Sequence, residues 1–237
     1  MSKACFFLIL CFLTVSMASG AMAETRVLTF DTNNWGTSSH GTWNTTKGFE
    51  GSGGNPGACV LFRGIGGVGG SFANNGFTGD FAAAGFRRIS MDLKKKHWFL
   101  RPNNTLPKAY IFVRKQGCWW WSKQIQNFDP MASGYVTYSV EFDSGWTDAQ
   151  AQANDWAITT GYGSANTATF SDTLRDVMET GFWIQDMAAG AECHVYVDNW
   201  TLSPAGLQLA PMRKPMKMQP APGVRPATKQ RYPIKKE

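Results

Sequence analysis

The segment Tyr135-Val136-Thr137-Tyr138-Ser139-Val140-Glu141-Phe142 sets Val136, Tyr138, Val140 and Phe142 on one side of an extended chain, and polar or small residues between them. Successive side chains of a strand point to opposite faces, so this alternation is that of a half-buried strand in an antiparallel sheet. Working outward, Ile89, Met91 and Leu93 repeat the pattern. Further strands are predicted at 26–30, 58–63, 86–93, 109–114, 118–122, 181–187 and 193–202, separated by Gly/Asn/Ser-rich connections. About eight such strands in one domain predict an all-β, two-sheet antiparallel jelly-roll sandwich.

The last strand, "CHVYVDNWTLS" (193–203), breaks phase. Val195 and Val197 share one parity, Trp200 and Leu202 the other. One extra residue at Asp198-Asn199, a β-bulge, keeps all four inward and aims Asp198 at a loop or an ion. Two short helices are expected. In one, Ser171-Asp172 caps a turn that Gly181 ends; the other spans 147–158 behind Thr147 or Asp148. The glycine-rich segments 31–57 and 64–80 read as long rim loops.

Residues 1–23 combine Lys3, an apolar run from Ala4 to Val15 and the exit Ala21-Met22-Ala23. This is the pattern of a signal peptide cleaved before Glu24, and the run is too short to span a bilayer. At the other end, 204–237 is proline-rich and carries eight basic side chains against Glu237 alone. It buries too little apolar surface to offset the entropy of ordering, so a disordered tail is expected. Between them, 24–203 holds 14 basic and 16 acidic residues, so the chain's positive charge belongs to the tail and the domain is no general nucleic-acid binder. The expected organisation is a signal peptide (1–23), a β-sandwich (24–203) and a basic tail (204–237). The chain would be secreted, periplasmic or surface-associated. Its tail either meets an anionic envelope or matrix surface or serves as a solubilising linker.

Other chemistries are excluded or weakened. Cys59, Cys118 and Cys193 show no metal-ligand spacing; one disulfide among three pairings and three small buried hydrophobes are both open readings. Gly64–Gly70 lacks the strand-to-helix context and the Lys-Ser/Thr of a phosphate cradle. No carboxylate pair, histidine spacing or GxSxG points to catalysis, and an enzyme is not expected.

The run Gly117-Cys118-Trp119-Trp120-Trp121-Ser122-Lys123 poses the functional question. In a strand Trp119 and Trp121 share one face and Trp120 the other, so at least one indole turns toward a less buried side. A flat indole suits the CH face of a pyranose, with amides satisfying its hydroxyls. Trp119, Trp121, Lys123 and Gln124 are therefore candidate ligand-binding residues. Trp98 joins them from "DLKKKHWFLRPNN", where Lys94, Lys95, Lys96, His97 and Arg101 interleave with aromatics; that stretch reads as an anion grip or a solvated strand end.

Four blocks, "EGSGGNPGACVLF", "FTGDFAAAGFRRISMDLK", "TFSDTLRDVMETGFWI" and "CHVYVDNWTLS", resemble a group of bacterial secreted galactose-binding-like jelly rolls. That group includes carbohydrate-binding modules and laminin-B-like domains. The resemblance implies the fold and, in calcium-binding members, a structural calcium for which Asp198 and Asp31 are the matching positions. The expectation is a noncatalytic sandwich binding polysaccharide or cell-envelope glycan. Its alternative is a structural or adhesion protein without a saccharide site, held through its basic tail.

Overall fold

A computed structural model of the chain describes residues 24–30, 37–38, 46–73, 76–99, 106–160, 166–185 and 191–205. The expected leader, the tail beyond residue 205, Asp31 and Arg101 lie outside the described residues. In chain order the elements are β1 Arg26–Leu28, β2 Thr37–Ser38, β3 Thr46–Gly54, β4 Gly57–Ile65, β5 Val68–Phe72, β6 Arg88–Phe99, β7 Lys108–Arg114, β8 Trp120–Gln124, β9 Val136–Glu141, α1 Asp148–Ala153, β10 Trp156–Thr159, α2 Phe170–Arg175, β11 Glu179–Gln185 and β12 Glu192–Ser203.

The strands form two antiparallel sheets, a jelly-roll sandwich as expected. The first runs β3-β4-β12-β6-β9 with β1 also paired to β12; the second runs β10-β8-β7-β11-β5-β2. The core lies between them, because alternate residues of each strand turn inward. Val60 and Phe62 of β4, Met91 of β6 and Trp200 of β12 meet Ile111 of β7 and Phe182 of β11. Phe62 packs edge-on against Phe182 with centroids 5.1 Å apart, and Phe72 lies 4.5 Å from Trp200.

All eight predicted strands are present, and the bulge falls where the phase slip placed it. Asp198 pairs with Asp92 and Thr201 with Ser90, so Asn199 and Trp200 stand opposite Met91 alone. Asn199 takes the left-handed conformation, φ 48°. Val195, Val197, Trp200 and Leu202 are all fully buried in the core.

Four strands replace expected loops or helix. Val68–Phe72, read as part of a rim loop, is β5 and is buried throughout. Its Gly70 serves packing: a Cβ there would stand 2.4 Å from the Phe62 ring. β3 occupies part of the other expected loop and β2 two residues of it. The expected helix 147–158 is cut short. Thr147 caps α1 in a capping box with Gln150, but Trp156 then starts β10, paired with β8. For α2 the cap is Thr169 rather than Ser171-Asp172, its side chain accepting from the Asp172 amide. Gly181 does not end that helix. It lies in β11, where a Cβ would meet the Gly70 carbonyl oxygen at 2.2 Å. Cys59, Cys118 and Cys193 are free thiols, with Cys59 and Cys193 buried and both thiol pKa values raised by that burial. Among the described residues no helix is long and apolar enough to cross a membrane.

Candidate functional site

Strand register fixes what the second sheet shows on each side. In β7, Ala109, Ile111 and Val113 belong to the core, so Lys108, Tyr110, Phe112 and Arg114 take the opposite, outer face. Cross-strand pairing then assembles that face in rows. Trp183, Tyr110 and Gln124 form one; Gly181, Phe112 and Ser122 the next; Glu179, Arg114, Trp120 and Thr159 the third. Gln185 pairs with Lys108 beyond the first row.

The result is a second apolar cluster, separate from the core: Phe112, Trp120 and Trp183, with Tyr110 packed against them. Tyr110 lies 5.3 Å from Trp183 with planes 19° apart, and Phe112 lies 4.6 Å from Trp120 at 13°. Offset stacking of this kind holds the rings rigid. Trp120 and Trp183 are buried, whereas Tyr110, Gln124 and Gln185 are half-buried and Lys108 is exposed. Tyr110 is thus the ring at the accessible edge, backed by Trp183. Polar groups border the rings. The Arg114 guanidinium meets the Glu179 carboxylate at 2.6 Å and lies 5.9 Å from the Trp120 ring centroid. Ser122 and Thr159 hydroxyls are 2.7 Å apart. Flat rings with amides, hydroxyls and a compensated ion pair alongside can stack on a sugar ring and satisfy its hydroxyls without imposing net charge.

The residues singled out in the sequence separate. Trp121 points inward and is 1% exposed, its Nε1 donating to the Ala168 carbonyl oxygen at 3.0 Å, with Phe170 edge-on at 5.2 Å. Its indole is core. Lys123 shares that inward parity, opposite Ile111 and Trp156. Trp119 lies just outside β8, half-buried, and its amide donates to Asn166. Trp98 packs on the core beside Phe128 at 6.1 Å. Of the five, Gln124 alone joins the outer aromatic face. Tyr110, Phe112, Trp120 and Trp183 were not singled out as site residues. Their signal was present in "AYIFVR", "CWWWS" and "GFWIQ", which are apolar on both faces.

Asp198 anchors a different constellation on the outer side of the first sheet. It is fully buried; its Oδ2 accepts from the Asn55 amide at 2.5 Å and its Oδ1 from the Asn199 amide at 2.8 Å. Across the ladder Asp92 accepts from Thr137 Oγ1 at 2.6 Å and from the side-chain amides of Asn55 at 3.1 Å and Asn199 at 2.7 Å. The same Asn199 amide donates to the Asn55 carbonyl oxygen at 2.6 Å. An N–H donor therefore stands between oxygens that would have to converge on a cation, and among the described residues no group of three or more His, Cys, Asp or Glu gathers there. These donors suit a hydrogen-bonded lock of the β3–β4 hairpin to the bulge better than they suit calcium.

The fold is similar to the family 11 carbohydrate-binding module of the cellulosomal cellulase Lic26A-Cel5E of Clostridium thermocellum, at 16% identity over 77% of this chain and 96% of that one, TM-score 0.51. It is equally similar to a family 11 module from Clostridium thermocellum in complex with a β-1,3-1,4-mixed-linked tetrasaccharide, at 16% identity over 76% and 96% of the two chains, TM-score 0.50. At such identity the likeness is one of fold, the level at which the sequence resemblance was drawn. No protein-family model and no curated protein matches the chain.

Proposed function

We propose that this chain is a secreted, noncatalytic carbohydrate-binding module that holds a neutral glycan chain on the outer face of its second sheet. The observation that carries the reading is the second aromatic cluster. These rings lie on the side of the sheet away from the sandwich interior; Phe112, Trp120 and Trp183 are buried there as a stacked base, and half-buried Tyr110 is the ring that the face offers, bordered by hydrogen-bonding groups. Tyr110 supplies the stacking surface; Gln124 and Gln185 bind hydroxyls; Arg114 and Glu179 bracket the far end. The fold-level likeness to carbohydrate-binding modules supports the class, and the mixed-linked tetrasaccharide of one of them suggests β-glucans as the first ligands to try.

The test is calorimetric titration of the full chain with neutral β-glucan oligosaccharides chosen from a glycan array. Binding should weaken about tenfold, roughly 1.4 kcal/mol, in Tyr110→Ala, and stay unchanged in Trp98→Ala. No binding across the array, or equal binding by Tyr110→Ala, would remove the glycan site from this face and favour the adhesion reading.

A further inference from the structure

We infer that the opposite flank of the sandwich, the outer face of the first sheet, is a second binding surface, and that it takes an acidic polysaccharide bearing uronate or sulfate groups. Register assembles it as it did the aromatic face. β4 contributes Arg63, β12 contributes His194 and Tyr196, and β6 contributes Lys94 and His97, with Lys96 in a second irregularity between the His194–His97 and Val195–Lys95 pairs. Tyr135, one residue before β9, closes the row, its hydroxyl donating to the Gly53 carbonyl oxygen at 2.9 Å.

These side chains form a ladder of rings and cations. The Lys94 ammonium lies 5.5 Å from the Tyr135 ring centroid and 5.9 Å from that of Tyr196, and the Lys96 ammonium lies 5.1 Å from Tyr196. Two half-buried rings are thus held across three strands with an ammonium beside each. Asp92 and Asp198 on the same side of the sheet are buried and held by the hydrogen bonds of the bulge, so among the described residues Glu50 is the solvent-reached carboxylate drawn into this row, 3.5 Å from Lys96 and 4.0 Å from Arg63. Those pairs are substantially exposed, so exchanging Glu50 for a ligand carboxylate costs little. At the next row His194 and His97 pair directly, rings 5.5 Å apart, with Glu192 3.9 Å from His194.

The surrounding charge argues for a saccharide as the polyanion. Residues 24–203 carry 14 basic and 16 acidic side chains, so this is a local basic row on a near-neutral body. A membrane or a duplex draws on a broad positive field that the domain lacks. A single chain of sugars instead needs one flat ring per residue and a cation within reach of each carboxylate or sulfate, which the Tyr135-Lys94-Tyr196-Lys96 order provides. The two flanks then give the module separate grips, one for a neutral chain and one for an acidic chain.

Retardation of the full-length chain in native gels containing polygalacturonate tests this, with neutral mixed-linked β-glucan, anionic phosphatidylglycerol vesicles and single-stranded DNA as parallel probes. Lys94→Gln/Lys96→Gln should weaken polygalacturonate binding at least tenfold, as the loss of charge-assisted contacts implies, and leave β-glucan binding as it was. Arg63→Gln, at a side chain 52% exposed, should weaken it in the same direction if the double variant does not fold. Tyr110→Ala should leave polygalacturonate binding intact, so failure of the neutral site does not touch this result. Unchanged retardation in the cation variants would overturn the proposal by assigning the anion affinity elsewhere, including 204–237. Equal losses toward vesicles or DNA would overturn the commitment to an acidic glycan.

Discussion

Trp121→Ala separates the two sides of the tryptophan run most sharply. Trp121 is 1% exposed in the main core, and its indole meets Phe170 and donates to Ala168. Truncating a buried indole removes roughly 150–200 Å² of apolar area, about 4–5 kcal/mol at 25 cal/mol/Å². The lost hydrogen bond adds about 1 kcal/mol, and the residual structure of the unfolded chain, which already buries part of that area, lowers the figure by about 1 kcal/mol. The expected loss is therefore about 4 kcal/mol. For a domain of this size that lowers the melting temperature by roughly 8–16 °C. Urea unfolding followed by far-ultraviolet circular dichroism reads it, with an unchanged m-value confirming that the native state alone was affected. Where the variant remains folded, its glycan affinity should equal that of the unmodified chain. A loss below about 1 kcal/mol, or a binding defect without a stability defect, would refute the inward placement and return Trp121 to the ligand set.

Other consequences follow from the bulge, the thiols and the histidine pair. Asp198→Ala strands the buried Asn55 and Asn199 amides, and should cost about 2 kcal/mol in denaturant titration after relief of its repulsion with Asp92. Chelation with EDTA should leave the melting temperature unchanged, because the described oxygens already accept N–H and O–H donors; a fall that Asp198→Ala abolishes would restore calcium to this site. Dithiothreitol should likewise leave it unchanged, since Cys59, Cys118 and Cys193 are free. His194 has its pKa lowered from 6.5, first by burial and then by His97, Arg63 and Lys96, against an opposing pull from Glu192. The unfolded chain thus binds this proton more readily than the folded one. Stability is complete above about pH 6.5 and declines as pH falls through the folded value, and His194→Gln should flatten that acid-side slope.

The sandwich was legible because inward residues announce themselves by period. Val136, Tyr138, Val140 and Phe142 alternate, and the phase slip at Asp198-Asn199 located the bulge to the residue. β5 escaped because its two glycines lower apolar content, Gly70 for a packing reason, room for the Phe62 ring, that no local pattern reveals. β10 escaped because a helix-like run was cut by pairing with β8, a partner more than thirty residues away in the chain. The outer aromatic face was half legible. The consecutive tryptophans put indoles on both faces of β8, yet Trp120 and Trp121 are both buried and the half-buried indole is Trp119, just outside the strand; which parity faced the core depended on the pairing of β8 with β7 and β10. Tyr110 with Gln124 and Arg114 with Trp120 face each other across the short β7–β8 connection, but Trp183 reaches them from a distant segment of the chain, so only strand order brings it to the face.

The most direct test of the central claim is nuclear magnetic resonance of the full chain during titration with its tightest-binding neutral oligosaccharide. Indole signals are assigned from single Trp→Phe variants. The account predicts that Trp183 and Trp120, on the aromatic face, shift with saturation while Trp121, Trp156 and Trp200, in the main core, hold their positions. Saturable binding that leaves Trp183 and Trp120 unmoved would contradict it.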